Sequence, residues 1–212
     1  MNKIIVSNVG KTIEEQVILR NINLKLQSGK VYGLIGRNGS GKTVLLKCIA
    51  GFLTPTTGEI KVNEKVLGKD IKFPENMGFI INAPGFLPEM SGIKNLQYLA
   101  SIKQVADKEK IVEAMNMVGL DPKSKKRVGK YSTGMKQRLG IAQAIMEDPE
   151  ILILDEPMNG LDEQMVEKIR GVVLELKKRG KLIIITSHNR EDIEILCDEV
   201  YKMKDGELES VR

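Results

Sequence analysis

The segment GRNGSGKT, at residues 36–43, carries the residue types that bind a phosphorylated ligand. It fits the phosphate-loop spacing G-x-x-x-x-G-K-[ST], with the strand-like VYGLI before it and a helix-like segment after it. Glycines let successive backbone N–H groups face one anion at a helix N-terminus, where the helix dipole also favours negative charge. We expect ATP in this loop, with Lys42 at the β- and γ-phosphates and the Thr43 hydroxyl in the shell of Mg²⁺. The predicted nucleotide-binding residues of the loop are Gly36, Arg37, Asn38, Gly39, Ser40, Gly41, Lys42 and Thr43.

Two carboxylates follow the apolar segment ILIL at residues 151–154. Ligands of parallel sheets collect at the C-terminal ends of the strands, so Asp155 is predicted to bind Mg²⁺ there. Glu156 is the candidate general base for the water that attacks the γ-phosphate, although a solvated or helix-start carboxylate is a competing interpretation. The chain's single histidine, His188, follows the apolar segment LIIIT and can hydrogen-bond the γ-phosphate from the same sheet edge. The predicted catalytic residues are Lys42, Glu156 and His188.

The elements that must position these residues change in character along the chain. The first third has mostly strand-like segments, interrupted by a helix-like segment from Lys42. Residues from about 84 to 135 form a predicted helical subdomain, in which the basic stretch DPKSKKRVGK is expected to be a solvated loop rather than a lipid or ligand site. The last third alternates helices with apolar strands and ends in a hairpin. Apolar strands between helices predict a parallel sheet that is covered on both faces.

Composition excludes several classes of protein. The 212 residues contain no apolar run of the roughly 18 to 20 residues that cross a bilayer, and no signal peptide, so we expect a cytoplasmic chain. A net charge of +5 favours an anionic ligand or surface, but four Tyr, four Phe and no Trp leave little to stack on bases. No nucleic-acid partner is therefore expected. Cys48 and Cys197 lie in apolar helical patterns and are predicted to be buried free thiols.

In this order, GRNGSGKT, YSTGMKQRLGIAQAI, ILILDEP, NGLD and His188 resemble the ATP-binding subunits of ABC transporters over essentially the whole chain. The resemblance implies one ABC ATPase domain at residues 1–212, an α/β fold of the P-loop NTPase type. Its mainly parallel sheet core would carry an N-terminal antiparallel β subdomain and a helical insertion. YSTGM matches the family's signature motif, usually LSGGQ, which contacts the γ-phosphate of ATP held on another subunit. The implied signature residues are Ser132, Thr133, Gly134 and Met135, and the implied D-loop residues between the two sites are Asn159, Gly160, Leu161 and Asp162.

The resemblance also implies partners. We expect a homodimer around two MgATP molecules and a separate membrane-spanning permease that holds the subunit at the inner face of the cell membrane. As an N-cap, Ser132 is expected to leave the backbone N–H groups of Thr133, Gly134 and Met135 pointing at an anion. Several motifs look most like small bacterial subunits that serve bacitracin or lantibiotic export and immunity, or related drug and peptide exporters. The permease is expected to dock on the apolar residues around 86–96.

Three features depart from the family pattern. Where the strand MGFII should be followed by a glutamine that touches Mg²⁺ and the attacking water, Asn82 keeps an amide on a shorter stem. We predict a metal-site role for Asn82 in which direct contact is lost or relayed through a water. The family stacks adenine on an aromatic residue near the chain start, but Ile13 is the nearest bulky apolar residue here. In the signature, Thr133 and Met135 stand where Gly and Gln are usual.

Two other functions stay open at this point. One is a soluble ABC ATPase that acts in translation, DNA repair or cluster assembly, and the other is a nucleotide-binding regulatory module with negligible hydrolysis. Translation factors of this kind usually carry two such domains, and the repair type has a long coiled coil. The sequence has neither feature, which favours the transporter subunit.

Overall fold

A computed structural model describes residues 3–82, 85–103 and 105–212 of the chain. In chain order the elements are β1 (Lys3–Ile13), β2 (Gln16–Gln27), β3 (Val31–Ile35), α1 (Lys42–Ile49), β4 (Thr57–Val62), β5 (Lys65–Val66), β6 (Met77–Ile80), α2 (Gly92–Lys103), α3 (Lys108–Met117), a 3-10 turn (Val128–Lys130), α4 (Thr133–Ile145), β7 (Ile151–Leu154), α5 (Glu163–Lys178), β8 (Leu182–Thr186), α6 (Arg190–Leu196), β9 (Glu199–Lys204) and β10 (Glu207–Ser210).

Two sheets carry these elements. A four-stranded antiparallel sheet has the order β2-β1-β4-β5, and a six-stranded sheet has the order β10-β9-β3-β8-β7-β6. In the second sheet the neighbours from β9 to β6 are parallel, and β10 pairs antiparallel with β9 as the predicted terminal hairpin. The segments that follow β3, β7 and β8 therefore meet at one edge of the sheet, as expected for the C-terminal ends of parallel strands.

The central strands β7 and β8 are buried along their whole length. Side chains alternate across a strand, so Leu152 enters one hydrophobic cluster and Ile153 enters the other. The first cluster contains residues of α3, α4 and α5, and the second contains residues of β1, β4 and α1. Because both faces are apolar, the first polar side chains of these segments occur at the strand ends, at Thr186 and Asp155.

The helical region predicted between residues 84 and 135 contains α2 and α3. Asp107 caps α3, because its side chain accepts the backbone N–H of Lys110 at 2.9 Å. Residue 84 lies outside the described residues, and residue 135 falls inside α4, which continues to Ile145. The helical region therefore shares α4 with the body of the fold.

The apolar residues expected to dock a permease are only partly exposed. Leu96 is fully buried, and Phe86 is half-buried and packs against the first hydrophobic cluster. Leu87, in contrast, is 46% exposed. The expectation of exposed apolar residues over 86–96 is therefore wrong for Leu96, which lies on the core-facing side of α2, and confirmed for Leu87.

The structure bears on two further predictions, one about the cysteines and one about membrane-spanning segments. Cys48 and Cys197 are both buried and both free, as predicted. Over residues 3–82, 85–103 and 105–212, no helix has both the length and the apolar character needed to cross a bilayer.

Gly78 in β6 lets α4 lie directly on the sheet. A Cβ at this position would lie 1.9 Å from the backbone oxygen of Ala144, and 2.8 Å from the ring of Pro149. The closer neighbour is helix backbone, so it can give way only if α4 moves. The contact joins the helical region to the strand that precedes Asn82.

Gly78→Ala is expected to lower the free energy of unfolding by roughly 2–3 kcal/mol, because the added methyl group overpacks a backbone contact. Urea unfolding followed by circular dichroism measures this. Gly171→Ala is the matched control, since Gly171 lies inside α5 with nothing within 4 Å of its Cβ position. That change should stabilise the helix by up to about 1 kcal/mol. Equal unfolding midpoints for Gly78→Ala and the wild type would contradict the close packing.

Candidate nucleotide-binding and catalytic site

A cavity of about 470 Å³ opens at the sheet edge where β3, β7 and β8 end. The phosphate loop, which includes Lys42, supplies part of the lining, and Asp155, Glu156 and His188 supply another part. The lining residues are Gln16, Ile18, Asn38, Gly39, Gly41, Lys42, Thr43, Val44, Asp155, Glu156 and His188. The structure thus brings the three predicted catalytic residues to one cavity.

The phosphate loop has the backbone shape that its glycines allow. Gly39 and Gly41 have φ angles of 81° and 107°, in the left-handed region, and Gly41 immediately precedes α1. Lys42 is buried, and its Nζ donates to the carbonyl oxygens of Gly36 at 2.7 Å and Arg37 at 3.1 Å. The Ser40 hydroxyl is also buried and has no hydrogen-bond partner among the described residues. An unpaired buried hydroxyl beside a buried lysine at a helix start fits an anionic ligand.

Two hydroxyl groups converge on the carboxylate of Asp155. The Thr43 hydroxyl donates to Oδ2 at 3.1 Å, and the Thr186 hydroxyl donates to Oδ1 at 2.7 Å. In the described parts of the chain, no group of three or more acidic, histidine or cysteine side chains is placed to hold a metal by itself. Mg²⁺ typically takes one or two carboxylates and completes its shell with phosphate oxygens and waters. Thr43 and Asp155 therefore fit Mg²⁺ that is shared with a nucleotide.

Glu156 stands beside His188 at the mouth of the cavity. The His188 Nε2 lies 3.2 Å from Oε1 of Glu156, within ion-pair distance but without the alignment of a hydrogen bond. Burial raises the pKa of the Glu156 carboxyl, and the charge of Asp155 adds to this. The charges of His188 and Lys42 and the backbone N–H of His188 act in the opposite direction. A carboxylate with a raised pKa is a stronger base, which suits proton abstraction from water.

A buried charge network lies beneath the loop that carries His188. The Arg170 Nε donates to Oδ1 of Asp192 at 2.9 Å, and its Nη2 donates to the same oxygen at 2.7 Å. The Ser187 hydroxyl donates to Oδ2 of Asp192 at 2.8 Å and accepts the backbone N–H of Asn189 at 3.0 Å. Asp192 and the Ser187 hydroxyl thereby fix the two neighbours of His188 on the buried side of the loop, while His188 itself is exposed.

The signature residues lie outside this cavity, at the exposed start of α4. The Ser132 hydroxyl caps the helix, since it accepts the N–H of Met135 at 3.2 Å. The expectation that this N–H points outward is therefore wrong, because the cap uses it. The N–H groups of Thr133 and Gly134 belong to the first turn, which has no acceptor within the helix. These two amides are available to an anion that approaches from another molecule.

The D-loop packs against the signature residues of the same chain. A Cβ at Gly134 would lie 2.7 Å from the backbone oxygen of Gly160. Asp162 caps α5 by accepting the N–H of Met165 at 3.0 Å, and the N–H of Asn159 donates to the carbonyl oxygen of Glu156 at 3.1 Å. The D-loop therefore connects the signature residues to the backbone of the candidate base.

The cavity lining does not include the predicted site residues Ile13 and Asn82, nor Gly36, Arg37 and Ser40 of the phosphate loop. Ile13 pairs with Gln16 across the β1–β2 hairpin, and it is Gln16 and Ile18 that face the cavity. Asn82 lines a neighbouring groove of about 200 Å³ between β6 and α4, with a left-handed φ of 64°. The role of Ile13 at the adenine of the nucleotide and the role of Asn82 at the metal stay predictions. Gln16 and Ile18 share one face of β2 by their spacing of two, which is a usable signal only once the hairpin is assigned.

Two further contacts escape sequence reasoning. Thr186 binds both Asp155 and the backbone N–H of Glu156, the latter at 2.8 Å. Its polar side chain at the end of an apolar strand is the signal that could have marked it. Gln137 on α4 donates to the carbonyl oxygen of Glu156 at 3.0 Å. Nothing in the local sequence pattern indicates this contact.

A family model described as "ABC transporter" matches residues 19–159, more than half of the chain. The chain belongs to the ABC transporter family. It is 45% identical over 205 residues to an uncharacterized ABC transporter ATP-binding protein, YybJ, from Bacillus subtilis (strain 168), covering 97% of this chain and 94% of that protein. It is 40% identical over 203 residues to the bacitracin transport ATP-binding protein BcrA from Enterococcus faecalis, covering 95% of this chain and 66% of that protein. The lantibiotic transport ATP-binding protein SrtF from Streptococcus pyogenes is 34% identical over 204 residues, with 96% of this chain and 87% of that protein covered.

Solved ABC cassettes share the fold. The dimeric structure of a bacterial ABC transporter cassette superposes with a TM-score of 0.87 at 26% identity, covering 99% of both chains. A dimeric post-hydrolysis structure of the same cassette, bound to ADP and phosphate, has a TM-score of 0.86 at 25% identity and covers 99% of both chains. The predicted family, the ABC ATPase fold and the ATP hydrolase class are confirmed. The transport names of the relatives favour a transporter subunit over a soluble ABC ATPase of another pathway.

The activity of this ABC ATPase is expected to have an acidic limb set by Glu156. Burial raises the pKa of this carboxyl, and a base must be ionised, so kcat should fall as pH drops through a value above the ordinary range of glutamate. Glu156→Gln should lower kcat by about 10²- to 10⁴-fold and remove that limb from the residual activity. Steady-state phosphate release across pH measures both effects.

Glu175→Gln is the control for this change, because Glu175 is exposed on α5 and pairs with Arg179. It should keep both the rate and the limb. An unchanged acidic limb in Glu156→Gln would assign the titration to another group.

Proposed function

We propose that the chain is the ATP-hydrolysing subunit of an ABC transporter, in which two copies pair around two MgATP molecules and drive a separate membrane-spanning permease. One observation carries this proposal. The cavity contains the phosphate loop, Asp155, Glu156 and His188, while the signature residues 132–135 are outside it, at an exposed helix start. The cavity of one chain therefore lacks signature amides, and a second chain would supply them.

The proposed chemistry assigns one task to each residue. Glu156 takes a proton from the attacking water, and Lys42 and His188 place donors and positive charge at the γ-phosphate. The amides of Thr133 and Gly134 from the second copy complete that shell. Thr43 and Asp155 would hold Mg²⁺, which would supply neutralisation of the phosphate charge.

The names of the relatives support a subgroup and a location for this subunit. BcrA and SrtF are named for bacitracin and lantibiotic transport. We place the chain among the small bacterial subunits that serve export of, and immunity to, such peptides, or related drug and peptide exporters. Its position would be the inner face of the cell membrane, where the permease holds it.

An exposed apolar surface supports a docking site for the permease. Phe79 lines a groove of about 180 Å³ between β6, α2 and α4, and its ring centroid lies 4.8 Å from that of Phe52. Phe52 also contacts Phe73, and Ile102 on the other side of the groove is 71% exposed. Contiguous apolar patches of this kind mark interaction sites. An amphipathic helix of the permease, with its apolar face in the groove, is the occupant we propose.

Ser132→Arg tests the shared site. The bulky cation should leave ATP binding by the cavity intact but prevent ATP-dependent dimerisation and lower turnover by about a hundredfold, because the signature no longer reaches the partner's nucleotide. Fluorescent-nucleotide binding, analytical ultracentrifugation with ATP and phosphate release measure the three quantities.

The control for the lost helix cap is Asp107→Arg, which removes the equivalent cap of α3. Its turnover should stay near that of the wild type. Normal turnover in Ser132→Arg would refute the shared site.

Ile102→Glu tests the docking surface. A charge in the groove should abolish co-purification of the subunit with its permease from detergent-solubilised native membranes, because the apolar contact would bury an unpaired carboxylate. Ile195→Glu is the matched control, since Ile195 is 45% exposed on α6. Mass spectrometry of the co-purified membrane protein and ATPase activity of each free variant are measured together. An undiminished yield of permease with Ile102→Glu would move the docking site elsewhere.

A further inference from the structure

Glu156 has a strained backbone that is held from both sides. Its φ of 51° lies in the left-handed region, which side chains other than Asn, Asp and Gly seldom adopt. Its N–H donates to the Thr186 hydroxyl at 2.8 Å. Its carbonyl oxygen accepts from the N–H of Asn159 at 3.1 Å and from Nε2 of Gln137 at 3.0 Å. Such a conformation persists only where its surroundings fix it.

The carboxylate of Glu156 accepts the backbone N–H of His188. Its Oε1 is buried and makes no hydrogen bond, although the His188 Nε2 is 3.2 Å away. Beyond these contacts with His188, the position of the carboxylate depends on the backbone that carries it. A change in the contacts of that backbone changes where the base points.

Gln137 connects this backbone to the surface of the proposed dimer. It lies on α4, the same helix whose N-cap is Ser132 and whose first turn contains Thr133 and Gly134. Gln137 is five positions after Ser132, which corresponds to a rise of about 7.5 Å along the helix axis. The orientation of the Gln137 amide is determined by chemistry, because a carbonyl oxygen can only accept and the NH₂ group must face it.

We propose that Gln137 is a positioning residue for Glu156, which couples engagement of the signature residues by a second copy to the direction of the base. A phosphate that binds the amides of Thr133 and Gly134 exerts a force on the helix that holds the Glu156 carbonyl through Gln137, three to four residues later. The inference rests on the proposed function, since the role of Glu156 as base belongs to it. No bond is formed or broken by Gln137 itself.

A structural explanation of the same contact makes different predictions. If the amide only fastens α4 to the end of β7, its loss weakens the fold or the dimer, and turnover falls because fewer assembled sites exist. If it positions Glu156, its loss slows the chemical step in sites that still assemble. The two cases separate in kcat, KM and dimerisation.

Gln137→Met tests the inference, because methionine keeps the length of the side chain and removes the amide. We expect kcat to fall about tenfold, as for small misplacements of a catalytic group, with KM for MgATP and ATP-dependent dimerisation near those of the wild type. Gln97→Met is the control, since Gln97 is exposed on α2 of the same helical region. Wild-type kcat in Gln137→Met, or a fall accompanied by lost dimerisation, would overturn the inference.

A double-mutant cycle with Glu156→Gln gives the second readout. A residue that acts through Glu156 has no further effect once the base is gone, so Gln137→Met should leave the residual turnover of Glu156→Gln unchanged. A further tenfold loss would show that Gln137 acts elsewhere. If Glu156→Gln alone turned over ATP at the wild-type rate, the assignment of the base and this inference would fall together. A slow Glu156→Gln beside a fast Gln137→Met would overturn the inference alone.

Discussion

The carboxylate of Asp155 is the point at which three elements of the site meet. One of its oxygens accepts from Thr43 at the start of α1, and the other accepts from Thr186 at the end of β8, while Asp155 itself follows β7. The Thr186 hydroxyl also accepts the N–H of Glu156, so a single side chain links the predicted metal ligand to the proposed base. The two bonds of Thr186, at 2.7 and 2.8 Å, form at the end of apolar strands, where water competes weakly. One set of hydrogen bonds therefore connects the phosphate loop, the predicted metal ligand Asp155 and the proposed base Glu156.

The loop of His188 depends on a second buried network. Both oxygens of Asp192 are used, one by Arg170 and the other by Ser187. Arg170 also pairs with Glu167 and Glu191, so the buried guanidinium has a carboxylate on each side. A buried charge costs several kcal/mol of desolvation unless its partners are complete, and removing one partner leaves that cost uncompensated. The network holds both neighbours of His188, Ser187 through its hydroxyl and Asn189 through its backbone N–H.

The parts of the site that sequence predicts are those encoded in short contiguous patterns. GRNGSGKT, the two residues after ILIL and the histidine after LIIIT are each recognisable because an apolar strand or a helix start places them. The contacts between these parts are not recognisable, because Gln137 and Glu156 meet through the packing of α4 on the sheet, which no local spacing describes. The same limit applies to the burial of Leu96, because its position in the helical repeat fits a surface as well as a core. It also applies to Ile13, because Gln16, its partner across the hairpin, faces the cavity instead.

The carbonyl oxygen of Glu156 accepts from two donors, Asn159 and Gln137, which belong to different segments of the proposed dimer surface. Gly134 and Gly160 approach so closely that a Cβ on either would meet the other segment, so the signature residues and the D-loop form one closely packed block. From that block, Asn159 reaches the Glu156 carbonyl through the D-loop, and Gln137 reaches it through α4. A second subunit that engages either segment displaces both donors together. The strained φ of Glu156 makes its direction sensitive to such a displacement, because loss of a donor lets the peptide relax toward a more common conformation. Hydrolysis then depends on assembly through the position of the base as well as through the binding of ATP.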